Sequence, residues 1–292
     1  MTARALPVPR RRSLPARRFI SAVMSGLMGV AAILATLPLI FLLTHLIREG
    51  ASAIDIDFFT KMPTPVGVEG GGLANAIVGT LILVGIAAAI GLPVGIGAGL
   101  YLAEQRGARL ATSVRFLSDV LNGMPSIVMG IFAWHFLVRP VGHFSALAGG
   151  VALGAMMIPL VTRSTEEMVR TVPVALREAA LALGYPRWRT SVAIVVRTAL
   201  PGIVTAALVA VARIAGETAP LLFTAFGNEF WSTSLTQPVA SLPLQIYTYA
   251  KSPYDEWHRL AWAGSLVLIG MVLTISLLAR FVTRSKHGGV GD

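Results

Sequence analysis

The stretch from Pro201 to Phe226 reads PGIVTAALVAVARIAGETAPLLFTAF, an apolar segment of membrane-spanning length that carries one cation and one anion, Arg213 and Glu217. If a helix begins near Pro201, a rise of about 1.5 Å per residue puts Arg213 about 18 Å along it, near the middle of a hydrocarbon layer about 30 Å thick. Charges at that depth are costly and are retained for a reason. The segment predicts a transmembrane helix with either a structural ion pair or a pathway for a charged solute.

The composition of the whole chain indicates a membrane protein. Of its 292 residues, 55% are hydrophobic and 13% are charged, and the mean hydropathy is +0.73. A soluble core this apolar is implausible at this length. The absence of cysteine excludes disulfides and thiolate metal sites. The net charge of +10 is explained better by topology-setting loop residues than by nucleic acid, and we predict no nucleic-acid partner.

Six apolar runs are long enough to span a bilayer, so the predicted fold class is an all-α membrane protein with six transmembrane helices. Most basic residues fall before the first run, in alternate loops and after the last run. The positive-inside rule therefore places both termini and the loop from Thr162 to Ala199 in the cytoplasm. The runs are Phe19 to Ile47, Leu73 to Ala103, Phe116 to Val138, Phe144 to Val161, Pro201 to Phe226 and Leu260 to Val282.

The ends of the chain are predicted as tails. Residues 1–18 are rich in proline and arginine and are predicted to form a disordered, basic cytoplasmic tail. Residues 19–47 form the first transmembrane helix, because the apolar run is too long for a signal peptide and lacks a clear cleavage site. Residues 70–282, which hold the other five apolar runs, are predicted to form one membrane domain, and residues 283–292 a second cytoplasmic tail.

Small residues predict how the helices pack. Gly91, Gly95 and Gly99 recur at every fourth position, as do Gly150 and Gly154. Helix backbones can approach closely where such small residues line one face.

Prolines 93 and 125 are predicted to interrupt the second and third runs. Asn122 and Ser126 share one helix face beside the second of these prolines. We expect them to satisfy backbone groups freed by a kink, in preference to lining a polar path.

The cytoplasmic loop predicts a short helix outside the membrane. Pro173 fits the first helical position, and Gly184 fits the left-handed residue just past the end. Between them stand Glu178, Ala179 and Ala180. A second, basic and aromatic helical stretch follows Pro186 and leads to Leu200-Pro201.

This arrangement resembles the EAA loop of bacterial ABC-importer permeases, and implies the type I ABC importer permease fold. In that family the short helix docks in a cleft of the ATPase subunit and transmits its movement. The resemblance assigns a coupling role to Glu178, Ala179, Ala180 and Gly184. Two alanines leave a low surface for docking, and Glu178 can pair with a basic residue of the partner.

A narrower resemblance follows downstream. The segment Arg213-Ile-Ala-Gly-Glu217-Thr-Ala-Pro220-Leu-Leu-Phe-Thr-Ala-Phe226, with the aromatic loop after it, resembles the A-type permease of the phosphate-specific transport system, the PstA family. The resemblance implies a bacterial inner-membrane importer made of two related permeases in a heterodimer, two ATP-binding subunits and a periplasmic phosphate-binding protein. This chain is then a permease that translocates phosphate by alternating access, not an enzyme.

The residues around Arg213 leave its role open. A guanidinium can hold a pair of phosphate oxygens, but Glu217 lies four residues on and can neutralise Arg213 within the helix. Pro220 leaves the carbonyl of Gly216 without a partner, and a weakened helix is where transporters place a gate or a binding site. We predict a switchable ion pair that acts as a gate. Arg163 is a candidate second anion contact, although a topology-setting flank is the simpler interpretation.

The outer loop from Gly227 to Arg259 carries few charges and many aromatic side chains. We expect them to anchor at the membrane interface. A docking surface for a periplasmic binding protein, shared with part of the loop from Arg48 to Gly72, is the alternative. The aromatic residues are Phe230, Trp231, Tyr247, Tyr249, Tyr254 and Trp257.

Missing motifs narrow the function. The chain has no phosphate-binding loop for ATP, so ATP hydrolysis falls to a separate subunit. Its five histidines share no ligand-like spacing, and we predict neither metal nor cofactor. Two alternatives to a phosphate permease remain: an ABC permease for another anion such as sulfate, molybdate or phosphonate, and an ion-coupled secondary transporter or channel that uses Arg213 and Glu217 as a relay.

Overall fold

The computed structural model describes residues 14–65, 68, 70–105 and 107–285. These residues form helices and connecting loops, with no strand among them. The predicted tails at residues 1–13 and 286–292 lie outside the described residues. The helices are α1 (Leu14–Ala51), α2 (Ile56–Thr60), α3 (Ala74–Glu104), α4 (Arg109–Gly123), α5 (Ser126–Val141), α6 (Ala146–Arg170), α7 (Val174–Ala182), α8 (Arg187–Ala215), α9 (Ala219–Thr224), α10 (Leu242–Ala250) and α11 (Asp255–Ser285).

Five of these helices, α1, α3, α6, α8 and α11, are long and apolar enough to cross a membrane. A sixth span exists if α4 and α5 are counted together, although they are bent by 105°. The predicted runs are therefore confirmed as membrane-length segments, but most have different ends. Residues 14–18, predicted as disordered tail, and residues 283–285 belong to helices α1 and α11.

Among the described residues, those from 14 to 48 form a unit of their own, separate from those that follow. This unit is the larger part of α1. Its apolar side chains are exposed along its length, for example Phe19, Met28, Leu34 and Phe41. A helix that presents apolar residues on every side is suited to a lipid environment.

Helices α3 and α6 run parallel and form the most extensive helix contact in the second unit. Glycines let them approach: a Cβ atom on Gly91 would lie 2.9 Å from Cβ of Met157, and one on Gly95 would lie 2.7 Å from Cβ of Val161. Gly99 continues the row, since a Cβ atom there would lie 2.6 Å from the carbonyl oxygen of Thr162. The predicted close packing at the glycine repeat is confirmed, because real Cβ atoms do not approach other atoms to within 3.0 Å.

Different helices meet at the two ends of the bundle. At one end, called here the α7 end, α3 and α6 finish beside α7 and the start of α8. At the opposite end, Phe58 of α2, Leu73 before α3, Tyr249 of α10 and Ala261 of α11 share one apolar cluster. Ser145 begins α6 at that end by accepting a hydrogen bond from the N–H of Ala148 (3.1 Å).

Prolines do not all act as predicted. Pro93 lies inside α3, which continues through it, so the predicted interruption there is wrong. At Pro125 the predicted kink is a complete break: α4 ends at Gly123, and α5 begins at Ser126 in a direction 105° away. Membrane helices accommodate an internal proline when the freed carbonyl is satisfied nearby, so proline alone does not decide between the two outcomes.

The fifth span also differs from its prediction. It begins at Arg187 rather than near Pro201, which lies in the interior of α8, and it ends at Ala215. The chain then breaks at residues 216–218 before the short helix α9. Arg213 is therefore in the last turn of α8 and not near the middle of a continuous helix running to Phe226.

The glycine row supports a direct test. We expect Gly95→Leu to destabilise the folded protein by about 1–3 kcal/mol, because its side chain would overlap Val161 in the α3–α6 contact. Gly97→Leu on the same helix is the matched control, since a Cβ at Gly97 meets nothing within 4 Å. Thermal unfolding in detergent, followed by fluorescence, measures both. Equal unfolding temperatures for the two variants would refute the packing argument.

Candidate translocation site and coupling surface

The two helix breaks lie close to each other in the fold. Helix α5, which follows the first break, packs against α9, which follows the second. The contact is tight: a Cβ atom on Gly130 would lie 2.7 Å from Cα of Pro220. Two discontinuous segments are thus brought together, an arrangement that transporters use to build binding sites and gates.

A small cavity lies between the last turns of α4 and α8, and the guanidinium-bearing residue Arg213 lines it together with Asn122. The rest of its lining is apolar or sulfur-containing: Leu121, Met124, Met129, Met156 and Ile214. In the described part of the chain, no hydrogen bond from the side chain of Asn122 to the backbone is found, contrary to the preferred expectation. Asn122 instead adds polarity to the cavity, which fits the polar-path interpretation.

The ion pair between Arg213 and Glu217 is loose. Nε of Arg213 lies 4.0 Å from Oε1 of Glu217, beyond hydrogen-bonding distance. The Arg213 side chain is 54% exposed, whereas Glu217 is 18% exposed. Arg213 also benefits from its place in the last turn of α8, where the helix dipole favours a cation. Its charge is therefore tolerated without full neutralisation and remains available to an anion.

The helix that carries Arg213 ends before it reaches Glu217, since α8 finishes at Ala215. The N–H of Gly216 donates to the carbonyl oxygen of Arg213 (3.2 Å) and the N–H of Glu217 to that of Ile214 (3.1 Å), which closes the end of α8. Pro220 is buried and lies in the first turn of α9. Backbone N–H groups in the first turn have no partner within the helix, so a proline there costs no hydrogen bond. The weakened helix predicted from Gly216 and Pro220 is a full break.

Arg163 belongs to a different cluster. It binds Glu166 (Nη1 to Oε2, 3.0 Å) and Asp119 (Nε to Oδ1, 3.1 Å). It lies seven residues after Met156 on α6, about 10 Å farther along the helix from the Arg213 cavity. The structure does not bring Arg163 and Arg213 together, and two carboxylates already occupy its guanidinium. This geometry favours a structural role for Arg163 over a second anion contact.

Glu166 is the centre of this cluster and was missed by the sequence reasoning. Its carboxylate is 1% exposed and accepts hydrogen bonds from Arg115 (2.7 Å), Arg163 (3.0 Å) and Arg170 (2.6 Å). A buried carboxylate that accepts hydrogen bonds from three guanidinium groups ties α4 to α6. The spacing of Arg163, Glu166 and Arg170 on one helix face was a visible signal, but Arg115 is 51 residues away in sequence.

The predicted coupling helix is α7. Pro173 is its N-cap rather than its first residue, and Gly184 follows its end with φ +83°, as predicted. The N–H of Gly184 donates to the carbonyl oxygen of Leu181 (3.0 Å), and the N–H of Tyr185 donates to the carbonyl oxygen of Ala180 (3.1 Å). These two hydrogen bonds define a Schellman motif. The turn requires a left-handed residue, which explains glycine at this position.

The EAA residues divide between two faces of α7. Glu178 and Ala179 are exposed, whereas Ala180 is buried against this chain, so only one of the two alanines can contribute to a docking surface. Apolar and aromatic side chains surround the exposed pair. Exposed apolar side chains grouped in this way are typical of protein or membrane contacts. The patch consists of Val174, Leu176, Leu181, Leu183, Tyr185 and Trp188.

The aromatic residues of the outer loop also divide into two groups. Tyr249 is buried and stacks on Trp257 with ring centroids 4.6 Å apart, so these two residues pack the loop instead of anchoring it. Burial raises the pKa of the Tyr249 phenol above its ordinary value. The other four, Phe230, Trp231, Tyr247 and Tyr254, are exposed. The outer loop also meets the segment before α3. Ser52, Asp55 and Thr64 of that segment line a cavity whose opposite wall is the start of α11, with Glu256 and Arg259.

Comparison with known proteins agrees with this architecture. Residues 95–286 match the model of the family described as binding-protein-dependent transport system inner membrane component. The phosphate transport system permease protein PstA of Yersinia pestis is 48% identical over 251 residues, which cover 85% of each chain. The protein of the same name from Xylella fastidiosa is 48% identical over 266 residues, covering 90% of this chain and 92% of the relative.

A solved structure shares the fold. The match is a chain of a bacterial alginate ABC transporter crystallised with a periplasmic protein that holds an alginate pentasaccharide. It superposes with a TM-score of 0.64 at 15% sequence identity, and the match covers 95% of this chain and 99% of the other.

Fold and family together define the class of protein: a multi-span inner-membrane permease of an ABC importer, with the type I permease fold. Within this class the chain belongs to the family of phosphate transport system permease proteins PstA. It is the permease subunit and not the ATPase of such a transporter.

The buried carboxylate generates a prediction about stability. We expect Glu166→Gln to destabilise the protein by about 3–5 kcal/mol, because three guanidinium groups would lose the charge that they share. The neighbouring Glu167→Gln is the control, since Glu167 is exposed on the same helix. Thermal unfolding of the purified protein checks the prediction, with a fall of about 10 °C expected for Glu166→Gln only. An unchanged unfolding temperature would show that the cluster is not structural.

Proposed function

We propose that this chain is the permease subunit through which an ABC importer carries inorganic phosphate into the cell. The observation that carries the proposal is 48% identity over at least 85% of the chain to permeases named for phosphate transport. The loosely paired Arg213 in a cavity between two broken helices supports it, because a guanidinium suits an oxyanion. Its chemistry alone does not separate phosphate from sulfate, molybdate or phosphonate.

The proposed assembly contains a related permease as heterodimer partner, two ATP-binding subunits and a periplasmic phosphate-binding protein. The exposed face of α7, with Glu178 and Ala179 amid apolar side chains, supports an ATPase contact. The cavity with charges of both signs at the opposite end supports docking of a binding protein there. ATP hydrolysis by the partner then drives alternating access in the permeases.

The proposed orientation puts both termini and the α7 end in the cytoplasm. Basic residues concentrate at the α7 end, where Arg115, Arg163, Arg170, Arg177 and Arg187 all lie. This distribution follows the positive-inside rule. The opposite end, with the exposed aromatic residues of the outer loop, then faces the periplasm.

In the proposed mechanism, Arg213 and Glu217 form a gate. At 4.0 Å the pair is held by charge attraction without a hydrogen bond, so a phosphate that approaches Arg213 can displace Glu217 at low cost. The break at residues 216–218 lets Glu217 move without unwinding a helix. The pair closes when the anion leaves.

Both members of the gate are therefore needed. We expect Arg213→Gln to lower phosphate uptake by about tenfold to a hundredfold, the loss of a charge-assisted contact, and Glu217→Gln to lower it nearly as much. Uptake of radiolabelled phosphate by a deletion strain complemented with each variant is the measurement, and competition by sulfate and molybdate tests the substrate. Arg197→Gln, which removes an exposed charge from the same helix away from the cavity, is the control. Normal uptake by Arg213→Gln would remove this residue from the mechanism.

The role of α7 in ATPase docking has a separate test. We expect Gly184→Leu to reduce copurification of the ATP-binding subunit, because a side chain at φ +83° strains the turn by about 1–2 kcal/mol and alters the docking face. Gly142→Leu is the matched control, since Gly142 has φ +82° and equal free space but lies at the opposite end of the bundle. Equal ATPase recovery with both variants would contradict docking through α7.

A further inference from the structure

Arg177 joins α7 to the two central helices of the bundle. Its Nη1 donates to Oε1 of Glu104, the last residue of α3, at 2.6 Å. Its Nη2 donates to the carbonyl oxygen of Val169, near the end of α6, at 3.3 Å. The Arg177 side chain is 18% exposed and that of Glu104 is 32% exposed, so the contact lies at the surface of the chain with the guanidinium more covered than the carboxylate. One side chain thus bridges three helices.

Helix α7 also packs against the start of α8, but little else joins it to α3 and α6. Among the nine residues of α7, only Ala180 is buried, and a single methyl group contributes little apolar area. Arg177 and Ala180 are three residues apart and so share one face of the helix. Glu178 and Ala179 lie on the exposed side. Apart from its packing on the start of α8, the inner face of α7 is fastened by Ala180 and by the charged side chain of Arg177.

The contact continues from the ends of α3 and α6 towards the cavity. Arg115 of α4 donates to the carbonyl oxygen of Leu102 at the end of α3 (2.6 Å) and binds Glu166 of α6. Farther along α4, Asp119 binds Arg163. Asn122, one turn after Asp119, lines the Arg213 cavity. Charged contacts therefore extend from α7 to Asp119, and α4 itself continues from there to the wall of the cavity.

We propose that Arg177 is a positioning residue that makes α7 move as one body with α3 and α6. The inference rests on the proposed function, because it requires an ATPase that pushes or pulls on α7. Arg177 touches neither the solute nor the ATPase in this role. Without its bridge, a displacement of α7 is absorbed by the loops at residues 171–173 and 183–186, and α3 and α6 stay in place.

The experiment uses the complete transporter in proteoliposomes and measures phosphate uptake and ATP hydrolysis together. We expect Arg177→Glu to lower the phosphate transported per ATP about tenfold, within the range observed for coupling residues, while the ATPase remains bound and active. The reversed pair, Arg177→Glu with Glu104→Arg, is expected to recover the ratio to within about threefold of the unmodified protein. Arg197→Glu, which reverses an exposed charge on α8, is the control and leaves the ratio unchanged.

A second measurement tests the same contact by cross-linking, in case Arg177→Glu prevents the transporter from assembling. Because the chain has no cysteine of its own, Glu104→Cys with Arg177→Cys can be joined by a short bifunctional thiol reagent, and the transporter with the unmodified chain is treated in parallel as the control. A permanent tether replaces the ion pair, so we expect cross-linking to raise the phosphate-to-ATP ratio of this double variant. Loss of the remaining uptake on cross-linking would show that the contact must open during transport, which would overturn the inference.

The outcomes separate this inference from the proposed function. If the unmodified chain shows no ATP-dependent phosphate uptake with its partners, the proposed function fails. If the unmodified chain transports phosphate but Arg177→Glu keeps the normal phosphate-to-ATP ratio, the positioning role is refuted and the proposed function stands. Arg177→Glu can lower the phosphate-to-ATP ratio without recovery in the reversed pair. That result would refute the ion pair with Glu104 as the contact that fastens α7.

Discussion

The close parallel contact between α3 and α6 is the constraint on which the rest of the structure depends. In lipid, helices gain little from burying apolar side chains against each other, so association relies on close packing. Gly91, Gly95 and Gly99 permit it, because any Cβ at these positions would overlap α6. Since the two helices run in the same direction, Glu104 and Val169 finish side by side. This juxtaposition allows one arginine of α7 to contact both ends.

The ion pairs around Glu166 and at Arg213 differ in the distance between the guanidinium and the carboxylate. Around Glu166 the donor–acceptor distances are 2.6 to 3.0 Å, so each contact combines charge attraction with a hydrogen bond, and removing one partner strands the others. Between Arg213 and Glu217 the distance is 4.0 Å, and attraction acts without a hydrogen bond. The first arrangement is suited to holding helices together. The second can open at small cost, which is why we assign it to the gate.

Much of the fold was predictable from local sequence. Apolar length identified the membrane segments, the four-residue spacing identified the contact surface of α3, and Gly184 was correctly placed in the left-handed turn after α7. The helix breaks were not predictable by the same means. The predicted run from Phe116 to Val138 passes over the break at Pro125, and the run from Pro201 to Phe226 passes over the break at Gly216. Proline does not resolve the question either, since Pro93 and Pro201 lie inside continuous helices.

The candidate site was only partly predictable, for a related reason. Arg213 and Glu217 were visible because charge within an apolar run is rare, but the cavity depends on Asn122 and Met156, which come from other helices. Likewise, the partners of Glu166 on its own helix follow from spacing, whereas Arg115 is supplied by the fold. The bundle therefore has one region that charged contacts hold together and another that contains the helix breaks. The charged contacts from α7 to Asp119 stiffen one end of the bundle, and both helix breaks lie beside the cavity beyond it. In the mechanism proposed above, a displacement that enters through α7 is carried by these charged contacts and taken up at the breaks, beside which Arg213 and Glu217 lie.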